Sequence, residues 1–375
     1  MATRWSDRPE DRRRLVRLAT SGLDWDRLLD LAADHRVSGL LRRRLEGVEI
    51  PESAKDRLRS EYAETWARTV GALAALPPVL EALGKAGVSV VLLKGIDLVQ
   101  RLYGDAGLRP LTDVDLLVRP EEAGRAREVL VGLGFEPWEE DEDHLERGPL
   151  LIELHSTAVD LGRIEGRRFA AHLETDSIWQ RARPSWGDPP YVLRPSPEDH
   201  LLYLCRHLLQ HSYEGLIWFT DVAGFIQENR GTLDWETLFR RAREISLRSI
   251  LTFVLRFLGE ALEEDLPPPA AEALSAAPAS RRERWLLDRL SRRLEIGPVA
   301  NLLLLPTIRG FRGRAAFLWE SCFPQDHVMR QIYPSYRPGR RAWFCALRAL
   351  QLASLGVSTA VRLLLPVRGP VRGQR

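Results

Sequence analysis

Apolar positions along the chain follow two periods. From residue 10 to 83 leucines recur at helical spacing (Leu15, Leu18, Leu28, Leu29, Leu31, Leu40, Leu41), which predicts amphipathic helices. Asp24 or Asp26 is placed to cap one of them. Pro51 opens a new segment, and a further helical stretch is expected from about Ser53 to Leu83, interrupted by Pro77-Pro78. The period then changes. Val88–Leu93 is a short apolar run broken at Lys94-Gly95, which reads as a buried strand. Helical spacing follows, and then Asp113-Val114-Asp115 runs into Leu116-Leu117-Val118 as a second strand. Glu121–Leu133 predicts a helix with acids in its first turn and Gly134 at its end. Phe135–Trp138 and Leu150–His155 read as strands, with the acidic run Glu139–Asp143 between them as a solvated loop.

Residues 160–198 carry Pro184, Pro189, Pro190, Pro195 and Pro197 and predict an irregular connection. Helical spacing resumes at Leu201, Leu202, Leu204, Leu208 and Leu209, with two more helices expected between Asp234 and Leu262 and a break at Pro267-Pro268-Pro269. The expected class is α+β: residues 1–83 an N-terminal helical region, 84–196 a small mixed-sheet core, 197–375 a C-terminal helical domain. Ala342–Val361 is the most apolar long stretch, but Arg348 and Gln351 interrupt it. It reads as a buried or interfacial amphipathic helix rather than a membrane span, with peripheral membrane contact as an alternative.

Candidate chemistry centres on the second strand. Side chains at i and i+2 share a face, roughly 6–7 Å apart, so Asp113 and Asp115 present two carboxylates together while Val114 and Leu116 point into the core. Adjacent carboxylates repel, and a divalent cation such as Mg²⁺ (or Mn²⁺) relieves them. Glu153 is an acid in an otherwise apolar strand and calls for a partner. His155 has the same parity and either orients a carboxylate or touches phosphate. His207 and His211 share a helix face, with Trp218 and Asp221 following. We expect them to pack against the core or line a cleft, and without an HExxH glutamate they do not make a zinc peptidase.

Composition excludes some classes. A formal net charge of +2 gives no bulk sign of a nucleic-acid partner. Lysine is rare (Lys55, Lys85, Lys94), which makes one at the strand–turn junction notable. Cys205, Cys322 and Cys345 are far apart and suggest neither a disulfide framework nor zinc. The first residues lack the apolar core of a secretory signal, so a cytoplasmic protein is expected.

Leu93-Lys94-Gly95 … Leu98 … Tyr103 … Arg109 … Asp113-x-Asp115-Leu116-Leu117-Val118, followed by Glu153-Leu154-His155, resembles the bacterial uncharacterised nucleotidyltransferase family, a branch of the DNA polymerase β-type superfamily. Phe323-Pro324 … Met329-Arg330 … Tyr333-Pro334 resembles that family's C-terminal segment. The resemblance implies Mg²⁺-dependent transfer of NMP from an NTP to a hydroxyl acceptor (protein, RNA, sugar or a small molecule such as an antibiotic). Asp113, Asp115 and Glu153 would be the catalytic and metal-holding acids, with Glu153 completing a second metal site or helping to deprotonate the acceptor. Lys94, Gly95 and Arg109 would meet nucleotide phosphate. Better-known members place Gly-Ser at the turn, whereas Lys94-Gly95-Ile96 has no hydroxyl. A catalytically silent nucleotide-binding or scaffold protein is therefore the competing expectation.

Overall fold

Helix formers with apolar residues three and four apart build the first four helices: α1 (Pro9–Ala19), α2 (Trp25–Asp34), α3 (Ser38–Arg44) and α4 (Glu52–Lys85). Asp24 caps α2, its carboxylate accepting from the Arg27 N–H. The computed structural model describes residues 9–138, 141–158, 175–184, 187–211, 213, 215–291, 308, 310–324, 326–333 and 335–364. It divides into two compact units, Met1–Asp160 with Ala171–Glu295, and Leu161–Ala170 with Ile296–Arg375.

In the first unit the sheet strands are β1 (Val90–Leu92), β2 (Val114–Leu117), β3 (Glu136–Trp138), β4 (Asp141–Arg147), β5 (Leu150–His155), β6 (Arg183–Pro184) and β7 (Val192–Arg194). They form one mixed sheet in the order β3-β4-β5-β2-β1-β7-β6. β2 runs antiparallel to β1 and parallel to β5. Between the strands lie α5 (Lys94–Leu98), α6 (Ala123–Gly132) and α7 (Thr175–Arg181); α8 (Pro197–Gln210), α9 (Leu216–Glu228), α10 (Trp235–Glu244), α11 (Arg248–Arg256), α12 (Pro268–Ala276) and α13 (Arg281–Ser291) follow. The α+β class with helical flanks is thus observed.

One sheet face is the core. Val90, Val114, Leu116, Leu145, Ile152 and Leu154 pack with Leu76, Val79 and Leu83 of α4 and with Ala126 and Leu130 of α6. This explains why α4 runs unbroken through Pro77-Pro78, where an interruption is expected from sequence. Each proline removes a backbone bond at a cost of ~3 kcal/mol, but the residues on either side are buried against the sheet, and that burial offsets the loss.

The helical spacing expected after β1 is observed as a short α-helix continued by a π-helical turn, Val99–Tyr103. Two other segments differ from expectation. Asp141–Asp143 lie in β4 rather than in a loop, with Asp143 held by Arg127 of α6; Glu139 and Glu140 lie outside the described residues. The expected irregular connection contains α7, β6 and β7 in its described part, whereas residues 160–174 fall outside it.

The second unit's described helices are α14 (Gly310–Cys322), α15 (Asp326–Ile332) and α16 (Arg341–Leu364). They enclose a small cluster of Met329, Tyr336, Phe344 and Cys345. No described helix is long and apolar enough to cross a membrane.

Candidate functional site

The sheet's second face gathers the titratable groups. In the parallel β2–β5 ladder Asp115 is the direct register partner of Glu153, and in the antiparallel β4–β5 ladder Glu153 is that of His144. Residues opposite one another share a face, so these three make one row across three strands. His155 lies two residues beyond Glu153 and joins them. Its Nε2 donates to Asp115 Oδ1 at 2.9 Å and lies 3.5 Å from Glu153 Oε2. His144 Nε2 is 3.2 Å from the other oxygen of Glu153. Lys94, at the start of α5, contacts the same Asp115 oxygen with its ammonium group. Lys94 takes a positive φ of 43°, a left-handed conformation that costs a non-glycine residue free energy.

Asp115 is 1 % exposed. Burial pushes its carboxyl up, but Lys94 and then His155 outweigh that and hold it below the ordinary range. Glu153 follows the same pattern: burial raises it, and hydrogen bonds from His144 and His155 hold it well below the usual glutamate value. Burial lowers His155, yet its bonds to Asp115 and Glu153 raise it to about 9. Burial likewise works against the Lys94 ammonium, and Asp115 more than compensates. Asp113 is the exception. Its hydrogen-bond donor is the Thr112 hydroxyl at 3.1 Å, and burial together with the charge of Asp115 pushes its carboxyl up to about 6.

The structure places Arg109 differently from the acids. Its Nε and Nη2 make a bidentate pair with Asp221 of α9, at 2.9 and 2.8 Å to Oδ1 and Oδ2. Nη1 donates to the Pro110 carbonyl at 3.2 Å, and the Tyr103 hydroxyl donates to Asp221 Oδ1 at 2.7 Å. The Arg109 bonds engage three of the five guanidinium N–H donors. This pair fastens the segment entering Asp113 to α9. Gly95 belongs to the same arrangement: a Cβ there would lie 2.7 Å from Arg109 Nη1 and 3.1 Å from Leu111 Cδ1.

His207 and His211 meet ring to ring at 4.4 Å, each against Trp218, at 5.2 and 4.5 Å. Burial, and then the charge of Lys94, push the His207 imidazolium well down. His207 therefore lies within electrostatic reach of Lys94. Asp221, in the same sequence pattern, serves Arg109 instead.

Sequence reasoning missed His144. Its strand carries Asp141-Glu142-Asp143, which looks like a solvated turn; the strict alternation of His144 and Glu146 about Leu145 was the available signal.

The donor set fits a hard divalent cation. Potential ligand atoms of Asp115, Glu153 and His155 all lie within 4.8 Å of one another, and the Asp113 carboxyl is near enough to feel the charge of Asp115. Carboxylate-rich sites of this kind suit Mg²⁺ or Mn²⁺. A family model described as an uncharacterised nucleotidyltransferase matches residues 21–263. No curated protein and no solved structure matches the chain.

Proposed function

The chain belongs to this uncharacterised nucleotidyltransferase family, and from that premise we propose that it moves NMP from an NTP to a hydroxyl acceptor in a Mg²⁺-dependent reaction. The observation that supports this most is the row Asp115–Glu153, built across parallel strands, with Asp113 beside it. Asp113, Asp115 and Glu153 are the residues that would hold the cation. A bound Mg²⁺ supplies Lewis-acid neutralisation of triphosphate charge.

The chain's own groups have separable tasks. His155 and His144 orient Glu153 and keep it ionised, which favours Glu153 as a ligand over Glu153 as a base, since a strongly acidic carboxylate accepts protons poorly. Lys94 balances Asp115 in the structure. With Asp115 holding a cation, the Lys94 ammonium would be free to meet phosphate oxygen. Arg109 sets the position of Asp113 through its grip on Asp221. The acceptor oxygen bonds to the α-phosphorus as the bond from that phosphorus to the β-phosphate bridging oxygen breaks; NMP is transferred, pyrophosphate leaves and the hydroxyl proton passes to solvent.

A second reading, a catalytically silent nucleotide-binding protein, is favoured by one observation: Asp115 and Glu153 already have cationic or hydrogen-bonding partners within the chain. The test is pyrophosphate release with each of the four NTPs, Mg²⁺ and cell extract, beside an Asp113→Ala/Asp115→Ala variant. Release that the variant loses supports the transferase. Nucleotide binding with no release in either protein supports the silent reading.

A further inference from the structure

Charge is not spread evenly along this chain. Residues 296–375 contain twelve arginines and no lysine, against Glu320 and Asp326 alone, a net of +10 in a protein whose total is +2. Residues 1–295 therefore carry −8. The asymmetry coincides with an exposed apolar surface in the second unit.

On α14, Phe311 is 86 % exposed, Leu318 42 % and Trp319 64 %. On α16, Trp343 is 60 % exposed and Leu350 69 %. Phe311 and Leu318 are seven residues apart, as are Trp343 and Leu350, so each pair lies on one helix face. Exposed Ala315 and Ala346 fall between them. The opposite sides face inward: Phe317, Phe344 and Cys345 are buried. These helices already have a core and leave a second apolar face outside it. Single exposed apolar residues need no explanation; two helical faces bearing two tryptophans do.

We propose that α14 and α16 form a peripheral docking surface for an anionic membrane. Charge complementarity selects this occupant. Arg312 and Arg314 are exposed on α14, and Arg340 is exposed at the entry to α16, where Arg341 pairs with Asp326. A helix lying in the interface plane needs Trp, Phe and Leu for the acyl boundary and Arg for the headgroups. Anionic lipid then adds ~1 kcal/mol per basic residue, roughly fivefold in affinity. No described helix meets the length and hydropathy of a span, so the contact is interfacial. This inference is independent of the proposed transfer reaction and needs no assay of it.

The test is flotation of the full-length protein with neutral phosphatidylcholine vesicles and with vesicles containing roughly 30 % phosphatidylglycerol. Three proteins are compared: wild type, Phe311→Asp/Leu350→Asp, and Arg312→Glu/Arg340→Glu. Circular dichroism and melting temperature check that each variant folds; all four positions are exposed. Recovery at least ~10-fold greater with anionic vesicles, reduced ~10-fold or more in both variants, supports the surface. Several results would overturn it: no flotation, equal recovery on neutral vesicles, or an apolar variant that floats like wild type. So would salt-sensitive binding to RNA that the apolar variant retains. A dimer, or a contact with residues 1–295, abolished by Phe311→Asp/Leu350→Asp without any vesicle binding would also overturn it.

Discussion

Arg109 and Asp221 stand 112 residues apart and form a two-pronged ion pair, Nε to Oδ1 at 2.9 Å and Nη2 to Oδ2 at 2.8 Å, with both side chains buried. Removing one member leaves the other charge stranded. Asp221→Ala is expected to destabilise the protein by ~3–5 kcal/mol. Arg109→Lys should recover little of that, because an ammonium cannot make the fork. Chemical denaturation of the two variants measures both effects. An Asp221→Ala protein within ~1 kcal/mol of wild type would refute the anchoring role.

Asp113 makes a pH-dependent prediction. Its carboxyl is raised to about 6 from an ordinary 3.8, so the folded chain holds this proton more tightly than the unfolded chain. The group favours folding at low pH, and that contribution is lost as pH rises from near 4 through 6. Asp113→Asn should therefore stabilise the metal-free protein at pH 7, on the order of 1 kcal/mol, while removing activity. Thermal melts at pH 5 and 7.5 are the check. They should also show a larger Mg²⁺-induced rise at 7.5 in wild type, because a carboxyl must lose its proton to bind a cation.

His155 has the opposite sign. Its folded-state value is raised to about 9 above an ordinary 6.5. Its stabilisation is complete below about 6.5 and is lost as pH climbs through about 9. Metal-free wild type is expected to lose on the order of 2–3 kcal/mol between pH 6.5 and 9.5, and His155→Gln to lose little. NMR titration of the His155 ring reads the same transition directly; a midpoint near 6.5 would contradict the contacts described.

Gly95→Ala tests the packing beneath Lys94. The added methyl carbon would lie 2.7 Å from Arg109 Nη1 and 3.1 Å from Leu111 Cδ1. Something must shift, and a loss of ~1–3 kcal/mol is expected. If Gly95 serves this close approach, the loss should shrink when Gly95→Ala is combined with Arg109→Ala, as a double-mutant cycle would show.

The strands at the centre of the sheet were legible because a period of two is local. Asp115, Glu153 and His155 could be assigned one face from their own segments, and the ladder partners Asp115 and Glu153 keep it. His144 was not legible. Its neighbours Asp141, Glu142 and Asp143 read as solvent, and only pairing with β5 makes that segment a strand. Nor could spacing reveal that Arg109 faces Asp221 rather than open solvent, since their contact is made by tertiary structure. Pro77-Pro78 show the same limit in reverse: local chemistry argues for a break, and burial of Leu76, Val79 and Leu83 overrides it.

The register of β2 against β5 also sets a timetable for synthesis. Asp113, Asp115 and Lys94 leave the ribosome before Glu153 and His155, and a nascent chain that stops short of β5 holds the first two acids with only Lys94 to answer them. The row Asp115–Glu153 exists only once β5 has paired beside β2, and that one pairing brings in both Glu153 and His155. A chain with β5 unpaired would lack both groups at the proposed cation site, not one of them.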